Sequence, residues 1–451
     1  MSSLLIKNVK HLISCDAEDT VYDKVNIYCE EGLIVDISTN THEADEVIDG
    51  TDMLCFPGFI NTHHHLYQIF SRNLPQTQNK ELFEWLRINY EIWKNLDEDT
   101  VYFSSKVGMA ELMKNGCTTV SDHHYVFPKD TGDLIGAQIR AADELGIRTH
   151  LTRGSMDLSK KDGGLPPDSV VQTVDEILKD SVELVEKYHD RSFQAMHRLA
   201  LAPCSPFSVS DTLLRESAKL ARELDVRLHT HLAETKDEED YTLEHFNMRP
   251  LEYMQSLGWV GDDVWYAHGI HFNTEELQVL ADTGTGVCHC PTSNLSLSSG
   301  VARIPEMMEL DIPVGLGVDG CAANNGMSIL EEIRSGYLMH RLNTPDNGVS
   351  GYDMLKLATM GGARVLGREK EIGSIELGKC ADLILLTVNS LDLVGAYYDP
   401  MSILGTVGIK NHVDYTVVNG KVTVRDGKVV DMDEDKLIAD ANQEVIRFLE
   451  A

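Results

Sequence analysis

Residues 59–65 read FINTHHH, a short β-prone segment that runs into three consecutive histidines. Side chains alternate along a strand, so His63 and His65 point to one side and His64 to the other. Two imidazoles on one face at a strand end are what chelation by a single metal requires. The same form, a strand with polar residues at its end, recurs down the chain. It returns as TTVSDHH at 118–124, RTHLTRG at 148–154, LALAPCSP at 199–206, VRLHTHLAE at 226–234, VWYAHG at 264–269, TGVCHCP at 285–291 and IPVGLGVDG at 312–320. Longer helical patterns separate these segments, which is the βα rhythm of a parallel sheet. Eight such units predict an α/β fold closed as a (β/α)₈ barrel of the TIM type.

The flanks have a different texture. LLIKNV, HLISC and KVNIYCEEGLIVDI alternate apolar and polar residues around a turn at Glu31-Gly32, and ADLILLTV and VDYTVVNGKVTVRDGKVVDM do the same around Asn419-Gly420 and Asp426-Gly427. Neither end has enough strands to bury a core alone. The economical division is a barrel over residues 57–370, with residues 1–56 and 371–451 joined into one small composite β-sandwich domain that ends in a helix from about residue 433 to 449. Two connections are long: one contains ELFEWLRINYEIW, which reads as an inserted helical lid, and the other is the Gly/Pro-rich MDLSKKDGGLPPDS after the third strand.

Composition narrows the function. A formal charge of −33 disfavours nucleic acid and anionic membranes, both of which select clustered Lys and Arg. No run of about 18 apolar residues is present, so no membrane span is expected. The N-terminus lacks the small-residue cleavage site of a secretory signal. Nine irregularly spaced cysteines read as reduced thiols, and a cytoplasmic location is expected. Apolar helical faces around a barrel predict a homo-oligomer of unspecified size.

The chemistry gathers at the C-terminal ends of the eight strands, where barrel active sites assemble. His63 and His65 come from the first. HTHLAE on the fifth offers His231 as a third nitrogen and Glu234, three residues on, as a proton shuttle. His229 shares the face of His231 and competes with it for the ligand role; His231 is preferred because it lies nearer the strand end. Asp319 closes the eighth strand. Three nitrogens and one carboxylate oxygen suit one divalent metal per subunit, Zn²⁺ or alternatively Fe²⁺, with a position left for water. His268, ending the sixth strand, is aimed at the mouth and could polarise the attacked bond or hold a substrate ring.

With these residues in place the chain resembles the amidohydrolase superfamily, and within it the branch that deaminates nucleobases and related heterocycles. PGFINTHHH, HTHLAET, AHG, HCPTSN, GLGVDG and GSIELGKCADLILL recur in that order over nearly the whole length. The resemblance implies His63, His65, His231 and Asp319 as metal ligands, Glu234 as acid/base and His268 as the substrate-facing histidine. Two-metal relatives carry a lysine at the end of the fourth strand; here that strand ends LALAPCSP, so one metal is expected. The implied reaction is hydrolytic deamination, with Asp319 accepting a proton from the attacking water and Glu234 protonating the ring nitrogen.

More locally, HHHLYQ, RNLP, ELFEWL, SDHHYVFP and RGSMDLSKKDGGLPPDSVV are similar to bacterial 8-oxoguanine deaminases and related triazine aminohydrolases. That implies a small heterocyclic substrate, with 8-oxoguanine converted to urate and ammonia as the leading reaction. Guanine, pterin, S-adenosylhomocysteine and s-triazine substrates are the alternatives. Gln68 would read a purine edge, Arg153 would meet a carbonyl or anionic oxygen, Trp85 and Tyr125 would stack on the ring, and His123 and Asn294 would line the mouth, with His124 and Ser293 near them. A two-metal cyclic amidase is disfavoured by the missing lysine, and a non-catalytic scaffold by the complete set of ligands and acid.

Overall fold

The computed structural model describes residues 3–451 apart from 345, 347 and 397. Its centre is a closed barrel of eight parallel strands: Phe59–Asn61, Cys117–His124, Arg148–Ser155, His197–Pro203, Arg227–Leu232, Val264–His268, Gly286–His289 and Val314–Leu316. Each overlaps one of the eight segments picked out above. Closure rests on the pairing of Leu316 with Asn61, between two strands of three residues each. Side chains such as Asp97, Asp133, Thr173, Ser210 and Asn273 start the intervening helices by accepting an N–H of the first turn, the preferred use of these residue types. Gly146 and Gly284 stop two of them in left-handed backbone, at φ 73° and 71°.

The second body is a nine-stranded sheet built from both flanks of the chain. Met53–Pro57 from the N-terminal flank pairs antiparallel with Leu383–Thr387 from the C-terminal flank and joins the two sets. Asn419-Gly420 and Asp426-Gly427 take positive φ at both positions, as two-residue hairpin turns need. A helix over Glu434–Glu450, capped by Asp433, ends the chain. Arg148, at the start of the third barrel strand, is fully buried and doubly bonded to Asp382, at 3.0 and 3.1 Å, which fastens the barrel floor to the sheet. Of the two long connections, the first carries the helix Leu82–Trp93, and the second holds only short turns at Lys160–Asp162 and Asp168–Val170. All nine cysteines are buried and unpaired. Among the described residues no helix is long and apolar enough to cross a membrane.

Candidate active site

Three of the strands that lead to chemically useful residues turn sharply at their ends. Ala233, His268 and Asp319 all sit just past or at a strand end with φ of 54°, 73° and 61°. Non-glycine residues in this region cost of order 1–3 kcal/mol each, a strain that persists where the surrounding structure fixes it. At the fifth strand the fixing group is Glu238, wholly buried, whose two carboxylate oxygens accept the N–H groups of Ala233 and Glu234 at 2.9 and 3.3 Å. Burial pushes the Glu238 carboxyl up to about 8.

His65 donates its Nδ1–H to the carbonyl of His123 at 2.7 Å, and His231 donates its Nδ1–H to the carbonyl of Cys204 at 2.6 Å. A carbonyl only accepts, so in each neutral ring Nε2 is a bare lone pair. These two Nε2 atoms face each other at 3.1 Å, and Asp319 Oδ1 lies 3.3 Å from that of His65 and 3.5 Å from Nε2 of His63. Nε2 of His63 is buried and has no hydrogen-bond partner. Burial drives all three imidazole pKa values down, that of His231 to about 3, so the rings stay neutral. Burial pushes the Asp319 carboxyl up, but the imidazole edges of His63, His268 and His65 around it outweigh that and hold the group well below the carboxylate range. Three acceptor nitrogens and an anionic oxygen converging without protons between them repel one another unless a cation lies among them. The donors form two overlapping clusters that meet at His63, one with His65, His123 and His231 and the other with His268 and Asp319, and nitrogens with one carboxylate suit a divalent metal of the zinc type.

Asp319 is held from behind by the Ser293 hydroxyl, which donates to Oδ2 at 2.5 Å, and by the N–H of Gly320 at 2.6 Å. Glu234, 4% exposed, stands beside this group with Oε2 3.5 Å from Nε2 of His268. Burial raises its carboxyl, a shift that His268 opposes and the Asp319 charge reinforces. The Nδ1 of His268 meets the Asn294 Oδ1 at 3.0 Å.

A cavity opens onto His65, His231, Glu234, His268 and Asp319. Gln68, Trp85 and Tyr125 line it too. Gln68 is 1% exposed and neither amide atom has a partner in the protein. The helix Leu82–Trp93 covers the cavity with Leu82, Trp85 and Leu86.

Three of the expected substrate contacts are not in the cavity wall. Arg153 is fully buried, with each of its three guanidinium nitrogens bonded within the protein, to Asp180 at 2.7 Å, Gln172 at 2.7 Å and the Gly154 carbonyl, and its plane on the face of Phe127. His123 lies beside the donor group, its Nε2–H given to the Ala202 carbonyl at 2.9 Å, with its ring packed against His231. Asn294 sits behind His268 and orients it. Conversely, Cys204, Ser205, Phe207 and Leu297 line the cavity without having been singled out. The first three follow directly on the fourth strand, and that position was the available signal. No lysine is among the lining residues.

The model of the amidohydrolase family matches residues 54–423. The chain is 41% identical over 443 residues to an 8-oxoguanine deaminase of Pseudomonas aeruginosa, covering 97% of each. It is 37% identical to a hydroxydechloroatrazine ethylaminohydrolase of a Pseudomonas species, covering 97% of this chain and 94% of that protein. Among solved structures, an atrazine chlorohydrolase of Arthrobacter aurescens complexed with zinc superposes with a TM-score of 0.94 at 31% identity, over 98% of this chain and all of that one.

Proposed function

The chain belongs to the amidohydrolase family, and from that premise we propose that it is a one-metal aminohydrolase converting 8-oxoguanine and water to urate and ammonia. The coarser part of this reading is secure: the chain is a metal-dependent hydrolase that acts on C–N bonds of heterocycles. The observation that carries the finer part is Gln68, whose buried and unpartnered amide faces the cavity beside Glu234. A free donor and acceptor pair there matches the adjacent N–H and carbonyl groups along an oxidised purine, and a site with such fixed partners rejects analogues that leave them unpaired.

His63, His65, His231 and Asp319 would hold the metal, zinc being the ion their chemistry favours. Bound there, it supplies Lewis acidity that brings the pKa of a water toward neutrality. Asp319, kept ionised, takes a proton from the attacking water at its carboxylate. Glu234, whose raised pKa keeps it protonated to higher pH, gives its proton to the ring nitrogen next to the attacked carbon; the proton held by Asp319 then passes to the departing amine, and the hydroxyl proton lost as the new carbonyl forms restores Glu234. His268, aimed by Asn294, holds the ring. Leu82, Leu86 and Trp85 exclude water from above.

A second reading has its own observation. Leu82, Leu86, Phe207 and Leu297 give the cavity an apolar side that would accept an N-alkyl group, as an alkylamino-s-triazine carries. Ammonia or amine release by metal-replete protein decides between them, using 8-oxoguanine, guanine, isoxanthopterin, S-adenosylhomocysteine and amino-s-triazines, with a metal-stripped control. The proposal expects 8-oxoguanine to give the largest kcat/KM; a triazine as the best substrate, with no purine turned over, overturns it.

A further inference from the structure

Each of the three cavity-side imidazoles needs its proton on Nδ1 if Nε2 is to be offered to a metal. His65 and His231 obtain this directly from backbone carbonyls, those of His123 and Cys204. His63 has no carbonyl within reach of Nδ1; what stands there is Nε2 of His229, at 2.8 Å. His229 is wholly buried, one layer below the cavity, with its ring stacked on Trp265 at 4.4 Å between centroids and 16° between planes. Its own Nδ1 is 2.9 Å from the Trp265 carbonyl.

The direction of these bonds is fixed from the bottom. The Trp265 carbonyl can only accept, so His229 carries its proton on Nδ1 and its Nε2 accepts. The bond from His63 must then run from Nδ1–H, which leaves Nε2 of His63 bare, and that is the atom without a partner that stands 3.5 Å from Asp319. Trp265 also holds the backbone on the same side, its indole N–H donating to the Thr62 carbonyl at 3.1 Å, one residue before His63. We propose that His229 is a positioning residue that extends the reach of the Trp265 carbonyl to His63 and so locks His63 in the tautomer that binds metal. This rests on the reading of His63 as a ligand. His229 is not itself a donor to the metal: both its nitrogens are already used.

Groups that orient a ligating histidine typically contribute about 10- to 100-fold to metal affinity. The test is the zinc dissociation constant, by competition with a chromophoric chelator, of wild type, His229→Phe, His229→Gln and His63→Ala. Phenylalanine keeps the ring against Trp265 but offers no acceptor, whereas the glutamine carbonyl can take the His63 proton. The expectation is zinc binding weakened about 10- to 100-fold in His229→Phe and largely recovered in His229→Gln. A purely structural role would weaken both alike, and that result overturns the proposal, as does His229→Phe binding zinc like wild type while His63→Ala does not. Undiminished zinc binding in His63→Ala removes the ligand reading itself, and the relay with it. Should His229→Phe not fold, ¹⁵N-histidine spectra of metal-free wild type, with His63 assigned from His63→Ala, decide the matter. A proton on Nδ1 of His63 supports the relay, and one on Nε2 refutes it.

Discussion

Replacing Glu234 by glutamine changes one buried proton donor into an isosteric amide and little else. The N–H groups of Ala233 and of Glu234 itself are pinned by Glu238, and the side-chain groups of Ser299 and His268 stand at 3.5 Å, so the amide fits the same space. Its carboxyl is already pushed toward the neutral form by burial, so a neutral replacement removes no favourable charge and the fold should lose nothing measurable. Nor can a neighbour take over the proton transfer. Glu238 is the next acid along, and both its oxygens accept backbone N–H groups. General acid–base groups typically contribute about 10² to 10⁴ in rate. Without a substitute acid the loss belongs in the upper part of that range, and the whole span corresponds to about 2.7–5.4 kcal/mol at ~1.36 kcal/mol per factor of ten. Ammonia release under saturating substrate gives kcat, and elemental analysis of the same sample counts the metal. The expected result is one metal per chain with kcat down by about 10³ or more. A kcat within tenfold of wild type, with the metal retained, would remove Glu234 from the chemistry.

The pH profile carries a sign. Glu234 must be protonated to act as an acid, and its raised pKa keeps it so above the ordinary carboxylate range, so kcat/KM should fall on the alkaline side, while Asp319, held well below that range, sets no acid limb near neutrality; activity that only climbs with pH contradicts this. Stripping the metal should abolish turnover and lower the melting temperature, since free zinc at 1,000 times its Kd stabilises by about 4.1 kcal/mol; a melting curve indifferent to zinc would argue against the donor group as a metal site. Gln68→Leu should reduce kcat/KM for 8-oxoguanine by roughly 5- to 150-fold, the range for about 1–3 kcal/mol of unpaired substrate groups, with zinc binding intact. Arg153→Met should cost about 1–3 kcal/mol of stability on chemical denaturation, by removing the bonds to Asp180 and Gln172, and leave KM in place; a large rise in KM would restore Arg153 to the substrate site.

The barrel and the polar residues at its mouth were legible because strand periodicity and strand position are local properties. Eight short segments ending in polar residues say where each side chain starts and which side of the strand it takes. What a side chain meets across the barrel is not local. Arg153 follows the mouth-facing pattern, yet Asp180, from the helix Val174–Tyr188, reaches it first. Glu238 was one acid in the run KDEED, and nothing in that run sets it apart; only the fold buries it and turns it back onto Ala233. Cys204, Ser205 and Phe207 carry no charge or metal-binding pattern that would have drawn attention.

The pair His229 and His231 shows the limit most sharply, since parity gives both the same face and two residues of strand separate them by about 6.6 Å in depth. At that scale the environment inverts. The upper ring meets the cavity and the bare nitrogen of His65, and the lower one lies under His63 against Trp265. The sequence carries which way a residue points but not how deep the mouth reaches, because depth is set by the stagger of all eight strands and by what fills the floor. The two histidines of one HxH motif can therefore take different roles, one facing the reaction and the other holding its neighbour in place.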